Sequence, residues 1–264
     1  MKRTNLLLGL SALMVLASCG GDNGPKEITD LDAITDLKLD ISHKRADIKN
    51  YEITCFFKRV EVNNETKEET IQAGEALYQT NKDGEMHVYV TSDGRATENV
   101  YIVKDKTYGK LFYCEAKDFF SGEITVIDYK EHAALFNGAY TNTIEGSVSI
   151  MESITDANTV GTFVEKFRAD LTEFKAETKY FSEKEGQLTV TVDEVSTKKD
   201  DDTKNSYEFN YEDSVFKNAT FIHSYSNDQY TLTYEMNFFF RVSDSIKFAL
   251  PVGWESHLMP SEAE

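Results

Sequence analysis

Proline is nearly missing from this chain: three occur in 264 residues, at Pro25, Pro251 and Pro260. With none between them in the interior, no proline-rich linker divides it, and one compact body over residues 29–251 is expected. Cysteine is equally scarce, and the three present form no Cys-x-x-Cys pair. Gly-x-Ser-x-Gly, a Walker-type glycine loop and Gly-x-Gly-x-x-Gly are all absent. His43, His87, His132, His223 and His257 are scattered, without His-x-x-x-His or His-Glu-x-x-His spacing. Asp and Glu number 46, so some pair must come close in space, but nothing singles one out for acid–base work. The residues therefore read as a non-enzyme with no cofactor and no metal site. The loop Lys198-Lys199-Asp200-Asp201-Asp202-Thr203-Lys204 does not alter this, because it lacks the glycine and terminal glutamate of a calcium loop.

Basic side chains are also in short supply: 28 Lys and Arg against 46 acids give a net charge of -18. Such a surface repels phosphate backbones, and no cluster of Lys or Arg with aromatics forms a local exception, which excludes nucleic acid as a partner. Solubility of an exported protein accounts for the charge.

Long apolar runs are missing except at the start. Lys2 and Arg3 precede Leu6, Leu7, Leu8, Leu10, Ala12, Leu13, Met14, Val15 and Leu16, a stretch too short to stay in a bilayer as a spanning helix and of the right length for a leader that is removed. Leu16-Ala17-Ser18-Cys19 follows at once and resembles the lipobox of bacterial lipoproteins. That resemblance implies a signal peptide over residues 1–18 and a diacylglyceryl group on the Cys19 thiol. The bilayer is then a partner through the anchor, and the protein sits outside the cytoplasm on the cell membrane or outer membrane. Each buried acyl CH₂ contributes about 0.8 kcal/mol, so two or three chains hold the protein stably where one would not. Loss of Lys2 and Arg3 with the leader moves the charge from -18 to -20. The Gly20-Gly21-Asp22-Asn23-Gly24-Pro25 stretch makes residues 19–28 a flexible tether. Residues 252–264, mostly polar, are expected to form a loose tail.

Within the body, Leu31, Ile34, Leu37 and Ile41 fit one helical face with Asp30 as its cap. Alternating runs then predict strands over residues 51–57, 72–80, 86–91, 99–104, 107–115 and 123–129, with Lys82-Asp83-Gly84 and Ser92-Asp93-Gly94 as hairpin turns. A short helix over 130–136 stopping at Asn137-Gly138, and a further alternation at Val148 and Ile150, come next. Val160, Phe163, Val164, Phe167, Leu171 and Phe174 then fall at steps of three and four, the strongest helical stripe in the chain. Leu188, Val190 and Val192, then Tyr207, Phe209 and Tyr211, then residues 219–225 mark further strands. Tyr230, Leu232, Tyr234, Met236, Phe238, Phe240 and Val242 make the longest alternation, opposite mostly polar residues with Phe239 as the exception. Spacing this close leaves no room for crossover helices, so the fold class is α+β: a large, mainly antiparallel, curved sheet, a meander, with a few packed helices. Two similar halves, 29–152 and 153–251, are one reading of the repeated order of helix then strands. Cys55 and Cys114 both sit in strand patterns, where either a disulfide or two separate buried thiols would fit an exported protein.

This outline of lipobox, curved sheet and helices resembles the LolA-like and LppX-like lipoprotein carriers. The resemblance implies a concave sheet face that holds acyl chains. Val160, Phe163, Val164, Phe167 and Leu171, facing Tyr230, Leu232, Tyr234, Met236, Phe238 and Phe240, are then the lining of a site for a lipid or other apolar or amphiphilic ligand. The same residues fit a filled core, since the stripe is aromatic. The chain is thus expected to be a carrier or sensor of such a ligand. The alternative is an envelope-structural or adhesion protein that meets an envelope protein partner through its surface, with Phe119-Phe120 as a candidate patch.

Overall fold

In the computed structural model, residues 25–116, 124–167, 174–198 and 202–260 are described. Cys19 and the lipobox, Phe119-Phe120 and Leu171 lie outside them. The body begins with a short edge strand, β1 (Lys26–Glu27), and then α1 (Leu31–Asp47). The cap is the expected one: the Asp30 carboxylate accepts the amides of Asp32 at 3.0 Å and Ala33 at 3.4 Å, two of the donors a helix start leaves unpaired.

Six strands follow as a meander: β2 (Tyr51–Asn63), β3 (Glu69–Thr80), β4 (Met86–Ser92), β5 (Arg95–Asp105), β6 (Gly109–Ala116) and β7 (Ile124–Asp128). Both predicted Asp-Gly turns close hairpins; Asp93 at φ 50° and Gly94 at φ 73° take the paired left-handed conformation that matches strand twist. Three helices come next, α2 (Ala133–Thr143), α3 (Glu145–Ser153) and α4 (Val160–Phe167). A second meander then runs β8 (Phe174–Ser182), β9 (Leu188–Ser196), β10 (Lys204–Glu212), β11 (Val215–Ser226) and β12 (Tyr230–Val242). Strands β12 and β2 pair antiparallel over 51–63, which joins the two meanders into one open, curved antiparallel sheet of order β1-β8-β9-β10-β11-β12-β2-β3-β4-β5-β6-β7.

The connection between the meanders departs from the expectation in three places. Asn137-Gly138 does not stop α2, which continues so that Ala139 joins Phe136 in the core; a mid-helix glycine costs only about 1 kcal/mol, less than that packing returns. Val148 and Ile150 belong to helix α3 and not to a strand, because Val148 packs inward with Ile144 and Ile154, a helical set that mimics alternation locally. Phe174 starts β8 instead of ending α4.

The helices fill part of the concave face. Ile41 of α1, Phe136 of α2, Val148 of α3 and Val160, Phe163 and Val164 of α4 form one buried cluster with Ile53, Cys55, Tyr78, Phe112, Tyr207, Phe209 and Phe238 of the sheet. On the opposite face, residues 248–258 are not the loose tail expected from 252 onward. Phe248, Leu250, Trp254 and Leu258 cover Val103, Leu111, Tyr113 and Val126. The backbone of Met259 donates to Val126 at 2.9 Å, and buried His132 sits between Asp128 (3.2 Å) and the Pro260 carbonyl (3.2 Å). The tail thus covers an apolar outer patch and the open edge of β7, which would otherwise offer unpaired backbone groups.

Cys55 on β2 and Cys114 on β6 are free and buried. They lie four strand steps apart, a path of about 19 Å along the sheet, beyond the reach of a disulfide. Burial pushes each thiol up to about 12, so neither presents a thiolate. Alkylation of the native protein is expected to leave both unmodified and unfolding without reductant to expose both; intact mass under the two conditions reads this out, and thiols that become alkylatable only after reduction would contradict it.

Candidate functional site

The apolar alternation of the inward face is broken on several strands, and the breaks align. Glu194 of β9 faces Asn205 of β10, which faces His223 of β11, then Tyr234 of β12, Arg59 of β2 and Gln72 of β3. One row toward the helices, the register runs Val192, Tyr207, Phe221, Met236, Phe57 and Gly74. One row outward it runs Tyr225, Leu232, Glu61 and Thr70. The concave face therefore changes from closed apolar packing to a polar band and then to a rim where half-buried Tyr225 and Leu232 stand beside Glu61 and Thr70.

The polar band is organised by charge. Fully buried Glu194 accepts from Asn205 Nδ2 at 3.1 Å and from the Tyr207 hydroxyl at 3.4 Å. Because the carboxylate takes the amide nitrogen of Asn205, its Oδ1 is turned to His223 Nδ1 at 2.8 Å, and that ring nitrogen donates. At the other side Arg59 donates to Glu61 at 2.6 Å and to Gln72 at 3.2 Å. Between them stands Tyr234, half-buried, its ring 6.4 Å from Phe221; desolvation, with a smaller contribution from Cys55, holds its phenol above the ordinary range. Tyr225 and Tyr230 stack loosely at 5.6 Å on the rim. Phe57 lies across Gly74, whose missing Cβ leaves room for the ring.

The residues predicted to line a ligand site divide accordingly. Val160, Phe163, Val164, Met236 and Phe238 are closed core; Phe163 is enclosed edge-on by Tyr207, Phe209 and Phe238 at 5.6–6.4 Å. Phe240 packs against Tyr51 at 5.3 Å and Phe216 at 5.9 Å. Tyr230, Leu232 and Tyr234 are half-buried on the open part of the face. Phe167 is the last residue of α4. Sequence reasoning did not pick out Arg59, Glu61, Gln72, Glu194 and Asn205, although their signal was legible: a charged or amide residue at the inward parity of an otherwise apolar strand.

The outer face carries a second hydrogen-bonded chain. Arg241 donates to Glu52 at 3.2 Å, and Gln79 Nε2 donates to the same carboxylate at 2.6 Å, which turns Gln79 Oε1 to His87 Nδ1 at 3.3 Å. His87 Nε2 is 2.9 Å from Asn99 Oδ1, and the ring stacks on Tyr101 at 4.0 Å. Two oxygens facing one imidazole satisfy the protonated ring; the neutral ring is satisfied once the Asn99 amide turns end for end. Desolvation lowers the His87 pKa, partly offset by Asn99. The unfolded ring then binds a proton more readily than the folded one, so stability is full above about pH 6.5 and falls as pH drops below it toward the folded value. Thermal midpoints at pH 7.5 and 5 are expected to differ less for His87→Gln than for the parent; an unchanged difference would remove His87 from the acid response.

Among the described residues no three His, Cys, Asp or Glu side chains gather as metal ligands. Two open surface hollows lie at the loop end of the sheet. One, of about 670 Å³, is bordered by Val195, Ser196, Lys198, Asp202, Ser226, Asn227 and Asp228; the other, of about 510 Å³, by Ser92, Asp93, Arg95, Ala96 and Thr97.

No family model matches this chain, and no curated protein matches it. Among solved structures it is similar to an outer membrane lipoprotein-sorting protein domain from Vibrio parahaemolyticus, at 8% identity and a TM-score of 0.27 over 79% of this chain and 93% of that one. It is similar also to a DUF1329 family protein from Desulfovibrio piger, at 8% identity and a TM-score of 0.28 over 82% and 95%. Likeness of this degree carries no argument about function, which has to come from the site itself.

Proposed function

We propose that this protein is a lipid-anchored, extracytoplasmic binding protein that holds an apolar or amphiphilic ligand on the open part of its concave sheet face. The observation that carries this is the graded face just described: half-buried Tyr225, Tyr230, Leu232 and Tyr234 beside a band of Arg59, Gln72, Asn205 and His223. Aromatic faces offer a large apolar contact at small entropic cost, and the band offers donors and acceptors to a polar head. The closed packing around Phe163 supports the rim and band as the ligand surface in preference to the interface between helix and sheet. Lipid extraction of purified protein followed by mass spectrometry, together with titration of a fluorescent fatty acid, tests the reading. Binding is expected, and Leu232→Asp is expected to weaken it about tenfold or more, the cost of a charge on an apolar contact. No co-purifying amphiphile and no titration would overturn it.

A second reading has its own observation. On the outer face Phe56 and Phe239 are 45% and 49% exposed and touch edge-on at 6.0 Å, an apolar pair that water does not reward. An envelope protein partner would dock there. Loss of a captured partner on Phe56→Ser with Phe239→Ser, while fatty-acid binding persists, would favour it.

A further inference from the structure

Resting on the anchored reading above, we infer that the concave aromatic rim faces away from the bilayer that carries the anchor, so that its ligand enters from the aqueous compartment or an opposing surface and not by lateral exchange with the anchoring leaflet. The direction is set by β1. Lys26 pairs with Ser182 and Glu27 with Phe181, and the Ile28 amide donates to Tyr180 at 2.8 Å, so the chain comes in at the C-terminal end of β8. That is the end of the sheet where β12 finishes at Val242 and β2 starts at Tyr51, because those strands pair Val242 with Tyr51. The rim residues Tyr230 and Tyr225 belong to the opposite end, where Tyr230 pairs with Asn63.

The entry point is firmly held. Lys38 of α1 donates to the Tyr180 hydroxyl at 3.0 Å and lies 4.6 Å from its ring centre. Further along the helix, Lys44 donates to the Asp213 carbonyl at 2.9 Å, Ser214 bonds Asp40, and Ser42 donates to Asp156 at 2.5 Å. These bonds tie α1 to the β10–β11 turn and to the segment before α4. The strand that receives the tether cannot turn independently of the sheet.

Lengths decide the rest. From Cys19 to Pro25 there are six residue steps, at most about 20 Å of extended chain. Along β12, thirteen residues separate the two ends, about 40 Å at strand rise. A body hung by its near end on the shorter length cannot be inverted to bring the far rim to the anchoring surface. The charge of -20 on the exported chain also disfavours lying flat on an anionic leaflet.

The test uses the full lipidated chain, isolated from its producing cells and placed in phosphatidylcholine vesicles with an acceptor dye on the lipid headgroups. A donor dye is attached at one introduced cysteine: Lys184→Cys beside β1, or Glu65→Cys or Asp228→Cys at the far end, all exposed positions. Native Cys55 and Cys114 are buried, and the parent protein serves as the labelling blank. Energy transfer is expected to be severalfold stronger from position 184 than from 65 or 228. Equal transfer from both ends, or stronger transfer from the far end, overturns the inference while the anchor stands. Protein that fails to float with the vesicles and shows no added acyl mass refutes the anchored reading itself and with it the inference.

Discussion

Phe163→Ala is expected to destabilise the protein by about 3–5 kcal/mol, the cost of removing a fully buried aromatic ring from a core that collapses only in part. The reason is the number of elements that meet on this one ring. Tyr207 and Phe209 of β10 and Phe238 of β12 approach it edge-on at interplanar angles of 85°, 90° and 86°. Its removal therefore unseats α4 from two strands at once. Urea denaturation of the parent and variant reads the loss as a lower midpoint at unchanged slope. Phe163→Leu keeps most of the volume and is expected to lose less than half as much. A near-neutral Phe163→Ala would mean that the core holds space beside α4, and would restore the helix–sheet interface as a ligand cavity.

Gly74→Val is the second large effect, and its cause is backbone proximity. A Cβ at position 74 would fall 2.1 Å from the Thr91 carbonyl oxygen and 2.2 Å from Phe57 Cζ. The ring could rotate away, but the carbonyl belongs to the neighbouring strand, at the point where the pairing of β4 with β5 slips between Val90 and Thr91. Relief requires the strands to part. The expected loss is about 3 kcal/mol or more, above the usual range for overpacking because main chain must move. Gly74→Ala carries the same Cβ and is expected to lose nearly as much, which separates this cause from side-chain bulk. Thermal unfolding of both variants measures it, and wild-type stability for Gly74→Ala would refute the close approach.

Much of the fold was legible because the strands are long and one-sided. Alternation in residues 230–242 and the Asp-Gly turns at 83–84 and 93–94 placed strands and hairpins correctly, since period two and the positive φ of Gly84, Asp93 and Gly94 are local properties. The helical segments between 133 and 153 were harder to read. Gly138 looked like a stop and Val148 with Ile150 like a strand, because in short stretches tertiary packing outweighs propensity. The tail misled for a similar reason: Trp254 and Leu258 are sparse among polar residues, and their burial exists only because a bare outer patch and the edge of β7 await them.

The site was less legible than the fold. Tyr230, Leu232 and Tyr234 stood in the same alternation as Met236 and Phe238, and sequence cannot say where along a strand the helices stop covering it. Arg59, His223 and Glu194 are far apart in the chain, and their alignment into one band follows from the register of four strand pairings.

By itself, the sequence determined the antiparallel strands, the cap of α1, the acidic surface and the motif at Cys19, because each depends on neighbours within a few residues. Only the tertiary structure decided that the two meanders join through β12 and β2, which aromatics are core and which are rim, and at which end of the sheet β1 enters. Those outcomes depend on contacts between segments from some forty to well over a hundred residues apart, and no local pattern encodes such distances.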